Sequence, residues 1–395
     1  MSGPLAGIRV LELGSLIAGP FCAKTLGDFG AEVIKIEPPG EGDALRKWRR
    51  LRNGTSLWWH VQSRNKKSVT CDLRQPAGQE IVRRLARRVH IMIENFRPGA
   101  LERWNLGWEA LAAENPQLIL VRISGYGQSG PYRERPGFAA IAEAVGGMRH
   151  VIGFPDRPPA RPNLSLGDTI AALHGVIGAL LALHAVRAGA GGQVIDVALY
   201  ESVFNCMESL LPEYDAQGYI RERSGSALPG IAPSNLYPCA DGSFVLIAGN
   251  ADSLYRRLMS AIDRADLRDD PALARNDGRA AQMQRIDDAI AGWTRGRTQS
   301  EVLAAMEAAE VPAGRIYTAA DIAADPHYLA RGMLERIRAA DGEPLTVPGI
   351  IPKLSRTPGA IRTPAPSLGE HTDEVLREIG YSDTDIARLR QANIL

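Results

Sequence analysis

Residues 163–175 read NLSLGDTIAALHG, and one carboxylate, Asp168, stands there between Gly167 and a long apolar run. Two kinds of chemistry fit an aspartate at that place. Aspartate is among the best residues for starting a helix, because its side chain accepts from orphan backbone N–H groups, a contribution of about 1 kcal/mol. The same helix end favours the ionised carboxylate. Gly167 leaves the approach to that carboxylate open, and an ionised carboxylate can attack an acyl carbon to form a covalent intermediate. From the local residues alone, cap and nucleophile both stand.

Further stretches carry groups suited to binding. GSLIAG (14–19) follows a short apolar strand and opens a helix, so its backbone N–H groups can hold a ligand. Its glycines do not fit G-x-G-x-x-G, and Pro38-Pro39 follow the acidic Glu37, which disfavours a nicotinamide-dependent oxidoreductase. RKWRRLR (46–52), Trp58, Trp59 and SRNKKS (63–68) form the densest basic and aromatic run. It reads either as a solvated charged face or as a polyphosphate site, since arginine forks match phosphate oxygens. In IENFRPGALERWNLGW (93–108), Asn95, Phe96, Arg97 and Arg103 follow a strand end, where open α/β sheets take ligands. An ordinary helix-capping turn is the other reading there. SGYGQSGPYRERPGF (124–138) is a second long glycine-rich loop, either a lid or a plain connection.

The elements that must position these groups follow from apolar runs. Strands are expected at 8–13, 31–37, 68–73, 90–95, 118–124 and 192–199, with helices between them, including 77–88 and one after Asp168. Strands that are almost wholly apolar and alternate with helices predict a parallel sheet covered on both faces. The run 170–186 contains His174 and His184 and reads as a buried helix rather than a membrane span. After about residue 220 the character shifts: a Gly/Pro/Ser-rich connection, a strand at 243–249, then Ala-, Arg- and Asp-rich helices to about 310. This predicts a smaller α+β domain. The proline-rich 348–369 stretch is expected to be extended and so able to reach back across another lobe or subunit.

Composition narrows the function. The 395 residues carry a net charge of +1, 45% apolar and 23% charged residues, which suggests neither a nucleic-acid nor a membrane-surface partner. Cys22, Cys71, Cys206 and Cys239 are far apart and form no CxxC pair, which argues against a disulfide framework or zinc site and fits a reducing compartment. The histidines show no metal-ligand spacing. MSGPLAGIRVLEL lacks the basic-then-apolar layout of a secretory leader, so a cytoplasmic protein is expected.

RVLELGSLIAGP, DFGAEVIKIEPP with EGDALR, NKKSVTCDL, IENFRPGALERWNLG, SGYGQSGPY, LGDTIAALHG, GGQVIDVALYES and PSLGEHTDEVLREIGYS, in this order, resemble the class III CoA-transferase family, also called CaiB–BaiF. The resemblance implies an interlocked homodimer. Each chain would have a large Rossmann-like domain with a parallel sheet (1–200 plus 330–395) and a small α+β domain (225–325), with linkers at 201–224 and 326–350. It implies an Asp168 nucleophile that moves CoA from an acyl-CoA to a free carboxylic acid. No metal or prosthetic group is required, coenzyme A being a substrate. CoA contacts carry over to Ile17, Ala18, Cys71, Arg74, Asn95, Phe96, Arg97 and Arg103, with Phe138 near the pantetheine end. Oxyanion stabilisation would come from backbone amides, and the 225–235 segment would shield the intermediate from water.

Ser15-Leu16-Ile17 and Pro38 differ from the formyl-CoA:oxalate branch, which has His-Val-Gln and an arginine there. The racemase branch needs a histidine base where Phe138 stands, and phenylalanine cannot take a proton. The stretch ALPGIAPSNLYPCADGSFVLIAGN is similar to enzymes of dicarboxylic acids such as succinate, malate, itaconate or citramalate. A CoA-binding partner with no turnover is the reading from another class, and it leaves Asp168 without a use.

Overall fold

The computed structural model describes residues 3–395. Six strands build the main sheet: β1 (Arg9–Glu12), β2 (Glu32–Glu37), β3 (Lys66–Thr70), β4 (Ile91–Glu94), β5 (Ile119–Ser124) and β6 (Gln193–Ala198). All neighbouring pairs are parallel, and the spatial order is β3-β2-β1-β4-β5-β6. That is the doubly wound order, with the connection reversing between β1 and β4. Strands such as IMIE and ILVRIS are buried along their whole length, as a sheet covered on both faces requires.

Two apolar layers cover the sheet. On one face lie α1 (Ala18–Asp28) and a 22-residue helix, here α5 (Leu166–Arg187). On the other lie α3 (Pro76–Ala86) and the C-terminal helices Thr372–Glu378 and Asp383–Gln391. Two more helices matter below: α2 (Leu57–Gln62), and α4 (Ala139–Val145), which lies against α5. Local sequence sets several of these boundaries. Pro76 takes the first position of α3, where its missing N–H is not needed. Gly30 adopts φ +110 after α1 and lets the chain turn into β2.

The chain divides into two compact units: 1–148 with 162–218 and 327–395, and 149–161 with 219–326. The second unit has a three-stranded antiparallel sheet with β8 (Phe244–Ala248) between β7 (Ser234–Pro238) and β9 (Ala313–Arg315). Helices Asp252–Ala261, Met283–Thr294 and Gln299–Ala308 complete its core.

Several expectations need correction. The expected linkers are structured: 201–224 contains most of the helix Leu199–Phe204 and all of Leu210–Gln217, and 326–350 contains the hairpin of β10 (Leu334–Arg338) and β11 (Pro344–Pro348). Pro212 sits in the first turn of its helix, where proline is tolerated. The segment 149–161 belongs to the smaller unit. The helix after Asp168 is not buried throughout: Leu173, Ile177, Leu180 and Leu181 are 42–66% exposed. Among the described residues it is the one helix long and apolar enough to span a membrane by composition. Here it covers the sheet along α1, β5 and β6.

The proline-rich stretch returns onto its own unit rather than across another. Ala360 N–H donates to the Asp28 carbonyl, Arg362 to Gly27, and the backbone of Arg362 and Thr363 to Asn65 Oδ1. Pro366 offers its carbonyl to Trp59 and Arg46.

Candidate active site

The carboxyl ends of β1 and β4 flank the reversal in strand order, and the two loops leaving them meet. Ser15 N–H donates to Asn95 Oδ1 at 2.8 Å, and Asn95 Nδ2 donates back to the Ser15 carbonyl at 3.0 Å. Gly14 has no room for a side chain: a Cβ there would lie 2.9 Å from Asn95 Oδ1 and 3.1 Å from Gly19 Cα. These two glycines therefore let a side-chain amide and a neighbouring backbone close in, which is why their spacing departs from the dinucleotide fingerprint.

A pocket of about 310 Å³ opens at this edge. Its lining comes from the ends of four adjacent strands: Leu13, Gly14 and Ser15 after β1, Lys35 to Glu37 on β2 with Pro38 and Asp43 beyond it, Cys71 to Arg74 after β3, and Phe96 after β4. Trp104 closes it, its ring edge-on to Phe96 at 5.1 Å. Of the residues expected to contact CoA, the structure brings Cys71, Arg74 and Phe96 into this pocket. Arg74 is exposed and chelates Asp72 at 2.8 Å. Burial pushes the Cys71 thiol up to about 12, with Asp72 adding to it, so Cys71 is a wall rather than a nucleophile.

The other expected contacts stand elsewhere. Asn95 spends its amide on Ser15. Ile17 and Ala18 have buried side chains at the start of α1, leaving their backbone as the part that can meet a ligand. Arg97 and Arg103 are exposed beyond β4 and do not line the pocket. Phe138 is 70% exposed and immediately precedes α4.

At and around the pocket lies a set of buried charges, part of it from the basic run that the sequence leaves open as a solvated face or a polyphosphate site. Lys35 Nζ reaches Glu12 at 2.7 Å and Asp43 at 2.8 Å. Lys66 reaches Glu12 at 2.7 Å, and Arg46 grips Glu37 at 2.7 and 2.8 Å while stacking on Trp59. Arg64 pairs with Asp28 at 2.7 Å. The run 63–68 is thus mostly internal rather than a solvated face: Arg64 and Lys66 are almost fully buried, and only Lys67 of its cations is partly exposed. Burial disfavours the charged Lys66, bringing it to about 8 against the pull of Glu12. Burial also opposes ionisation of Asp43 and Glu37, yet Lys35 beside one and Arg46 beside the other hold both below the usual carboxylate range. A third cluster lies at the end of β4, where Arg122 bridges Glu94 at 2.8 Å and Glu102 at 2.6 Å, and Glu94 accepts from Phe96 N–H. Charged residues within apolar strands, as in EVIKIE, were the available signal for these networks.

Asp168 is half-buried in the first turn of α5, and the cap position belongs to Ser165. The expected capping role is therefore corrected to a first-turn one. Both α1 and α5 lead into parallel strands of the same sheet, so their N-termini lie at its carboxyl edge, the edge at which the pocket opens. Gly167 lies against Ala139, and the fully buried Glu143 accepts from its N–H at 3.3 Å. Phe138 and Asp168 each stand next to that contact.

A six-stranded, doubly wound parallel sheet with polar groups gathered at its carboxyl edge is the Rossmann-like class of α/β protein. Residues 5–372 match the family model described as CoA-transferase family III. The chain is 48% identical over 394 residues to the succinyl-CoA–D-citramalate CoA-transferase of Chloroflexus aurantiacus, covering 99% of this chain and 98% of that one. It is 44% identical to the beta subunit of the succinyl-CoA–L-malate CoA-transferase of the same organism, over 99% and 98% of the two chains. A CaiB/BaiF family protein from Brucella suis, solved by crystallography, superposes with a TM-score of 0.83 at 34% identity, covering 96% of this chain and 100% of that chain. The chain belongs to CoA-transferase family III and is an enzyme of that class.

Proposed function

We propose that the protein transfers CoA from succinyl-CoA, or a related dicarboxylyl-CoA, to a free dicarboxylic acid through a covalent intermediate on Asp168. The observation that carries this reading is the place of Asp168: first turn of α5, at the carboxyl edge of the sheet, behind a glycine. The helix end favours its ionised form. The named relatives support the substrate class, since both act with succinyl-CoA.

In this reading the Asp168 carboxylate attacks the donor thioester carbon, giving a mixed anhydride and CoA thiolate. The thiolate attacks the Asp168 carbonyl and releases the donor acid, leaving an aspartyl-CoA thioester. The acceptor carboxylate then displaces CoA from Asp168 as a second anhydride. The thiolate takes the acceptor acyl group and frees Asp168. Backbone amides stabilise the oxyanions.

Cys71, Arg74 and Phe96 hold the nucleotide end of CoA in the pocket, Arg97 and Arg103 offer guanidinium groups to its phosphates, and the Ile17 and Ala18 backbone meets it at α1. Asn95 contributes by fixing the first loop, and Phe138 lies toward the pantetheine. We read the assembly as an interlocked homodimer in the cytoplasm, with no nucleic-acid or membrane partner. The exposed apolar stripe of α5 supports the dimer.

Incubation with succinyl-CoA and a panel of free acids (citramalate, malate, glutarate, itaconate), followed by mass spectrometry of acyl-CoAs, tests the reading. At least one new dicarboxylyl-CoA is expected. No acceptor across the panel would overturn it.

A further inference from the structure

The first loop is held by side chains from outside it. Lys35 Nζ donates to the Gly14 carbonyl at 2.8 Å, Asn95 binds both backbone groups of Ser15, and Gln62 Nε2 donates to the Ile17 carbonyl at 2.9 Å. Between them stands Leu16, at φ +65, a left-handed conformation that leucine rarely adopts. Its N–H is the group that Asp43 grips, at 3.0 Å to one carboxylate oxygen and 3.2 Å to the other.

Asp43 is 3% exposed, and Lys35, which neutralises it at 2.8 Å, is fully buried. Buried ion pairs of this kind give little net stability compared with apolar packing, so their presence calls for another explanation. Asp43 does have a local duty, capping the short turn Ala44–Lys47 through Leu45 N–H at 2.9 Å. A cap needs one oxygen and no buried lysine. The strained leucine uses both oxygens.

We propose that Asp43 is a positioning residue for acyl-CoA: clamped by Lys35, it holds Leu16 in its left-handed conformation and so sets the Ile17–Ala18 backbone against the ligand. The inference rests on the reading that Ile17 and Ala18 meet CoA. Without Asp43, Leu16 relaxes to negative φ and the next two amides turn away. Nothing in this role touches the reacting atoms, so the effect falls on binding rather than on the chemical step.

Isothermal titration with CoA, together with steady-state kinetics, tests this on three variants. Asp43→Asn preserves shape and cap but loses the charge. Leu16→Val leaves every buried charge intact and places a β-branched residue where φ is positive. Both are expected to weaken CoA binding and raise KM for acyl-CoA by about tenfold, while kcat at saturation stays within about threefold. Adding Leu16→Gly to Asp43→Asn is expected to recover part of the affinity, because glycine takes positive φ without help. A purely structural role for Asp43 predicts no such rescue. Leu16→Val with wild-type affinity overturns the proposal even if Asp43→Asn fails to fold. If the unmodified protein itself binds no CoA, the underlying reading falls with it; if it binds and both variants bind equally well, the proposal alone falls.

Discussion

Gly167 and Ala139 touch so closely that a methyl group on Gly167 would lie 3.2 Å from the Ala139 carbonyl oxygen and 3.3 Å from its Cα. This contact joins the start of α4 to the first turn of α5. It therefore fixes where Asp168 stands relative to Phe138. The neighbours are Ala139 backbone and its short side chain, with no flexible end to swing aside, so relief requires the two helices to shift by a few tenths of an ångström.

Gly167→Ala is accordingly expected to cost about 1–3 kcal/mol, the range for overpacking a tight contact. Because the displaced residue is next to Asp168, kcat should fall further than stability alone explains, with KM for acyl-CoA little changed. Thermal denaturation and steady-state kinetics on the same preparation check both halves.

A pH dependence follows from His60 on α2. The side chain is 2% exposed, and neither ring nitrogen has a hydrogen-bond partner among the described residues. Burial holds its pKa below the ordinary value of 6.5, Asp341 opposing and Arg52 and Arg46 adding to the fall. The unfolded chain takes up this proton near pH 6.5 while the folded one resists it. Stability is thus lost as pH falls below about 6.5, by up to about 1.4 kcal/mol per pH unit, and is flat above. His60→Leu should flatten that slope in urea titrations between about pH 5 and about pH 6.5. His90, also lowered by burial and by Arg9 and Arg187, should leave a residual slope.

Leu173, Ile177, Leu180 and Leu181 recur at the spacing of one helix face, and all four are exposed apolar side chains. Contiguous exposure of this kind marks an interaction surface. On the proposed dimer reading, Leu181→Arg is expected to yield monomer or aggregate in sedimentation velocity where the unmodified protein sediments as a dimer. An unchanged dimer would remove this face from the interface.

How much of this could be read from the sequence differs by kind of residue. The six strands of the main sheet and their alternation with helices were legible because parallel strands covered on both faces are apolar throughout. Asp168 and Phe96 stood out as side chains following a glycine and a strand end, whereas Arg74 came only with the family resemblance. The buried networks were not. Lys35, Glu12 and Asp43 are far apart in sequence, and a lysine in EVIKIE looks the same whether it meets water or a carboxylate. Asn95 shows the same limit: its type and place suggested a ligand contact, and only the fold reveals that Ser15 takes its amide. The hairpin Leu334–Pro348 carried an Asp341-Gly342 turn, a signal that the proline-rich stretch beside it obscured.

The most direct test of the account is whether Asp168 exchanges oxygen with the acids it serves. Acceptor acid labelled with heavy oxygen in its carboxylate is incubated with succinyl-CoA and the protein, and the peptide bearing Asp168 is weighed after digestion. The second anhydride leaves one acceptor oxygen on Asp168, so the peptide should gain heavy oxygen during turnover. Asp168→Asn, with spontaneous deamidation excluded, should stay folded within about 1 kcal/mol. It should lose transfer by roughly a thousandfold or more and acquire no label. Transfer at the wild-type rate with Asp168 unlabelled, or full activity in the asparagine variant, would contradict the account.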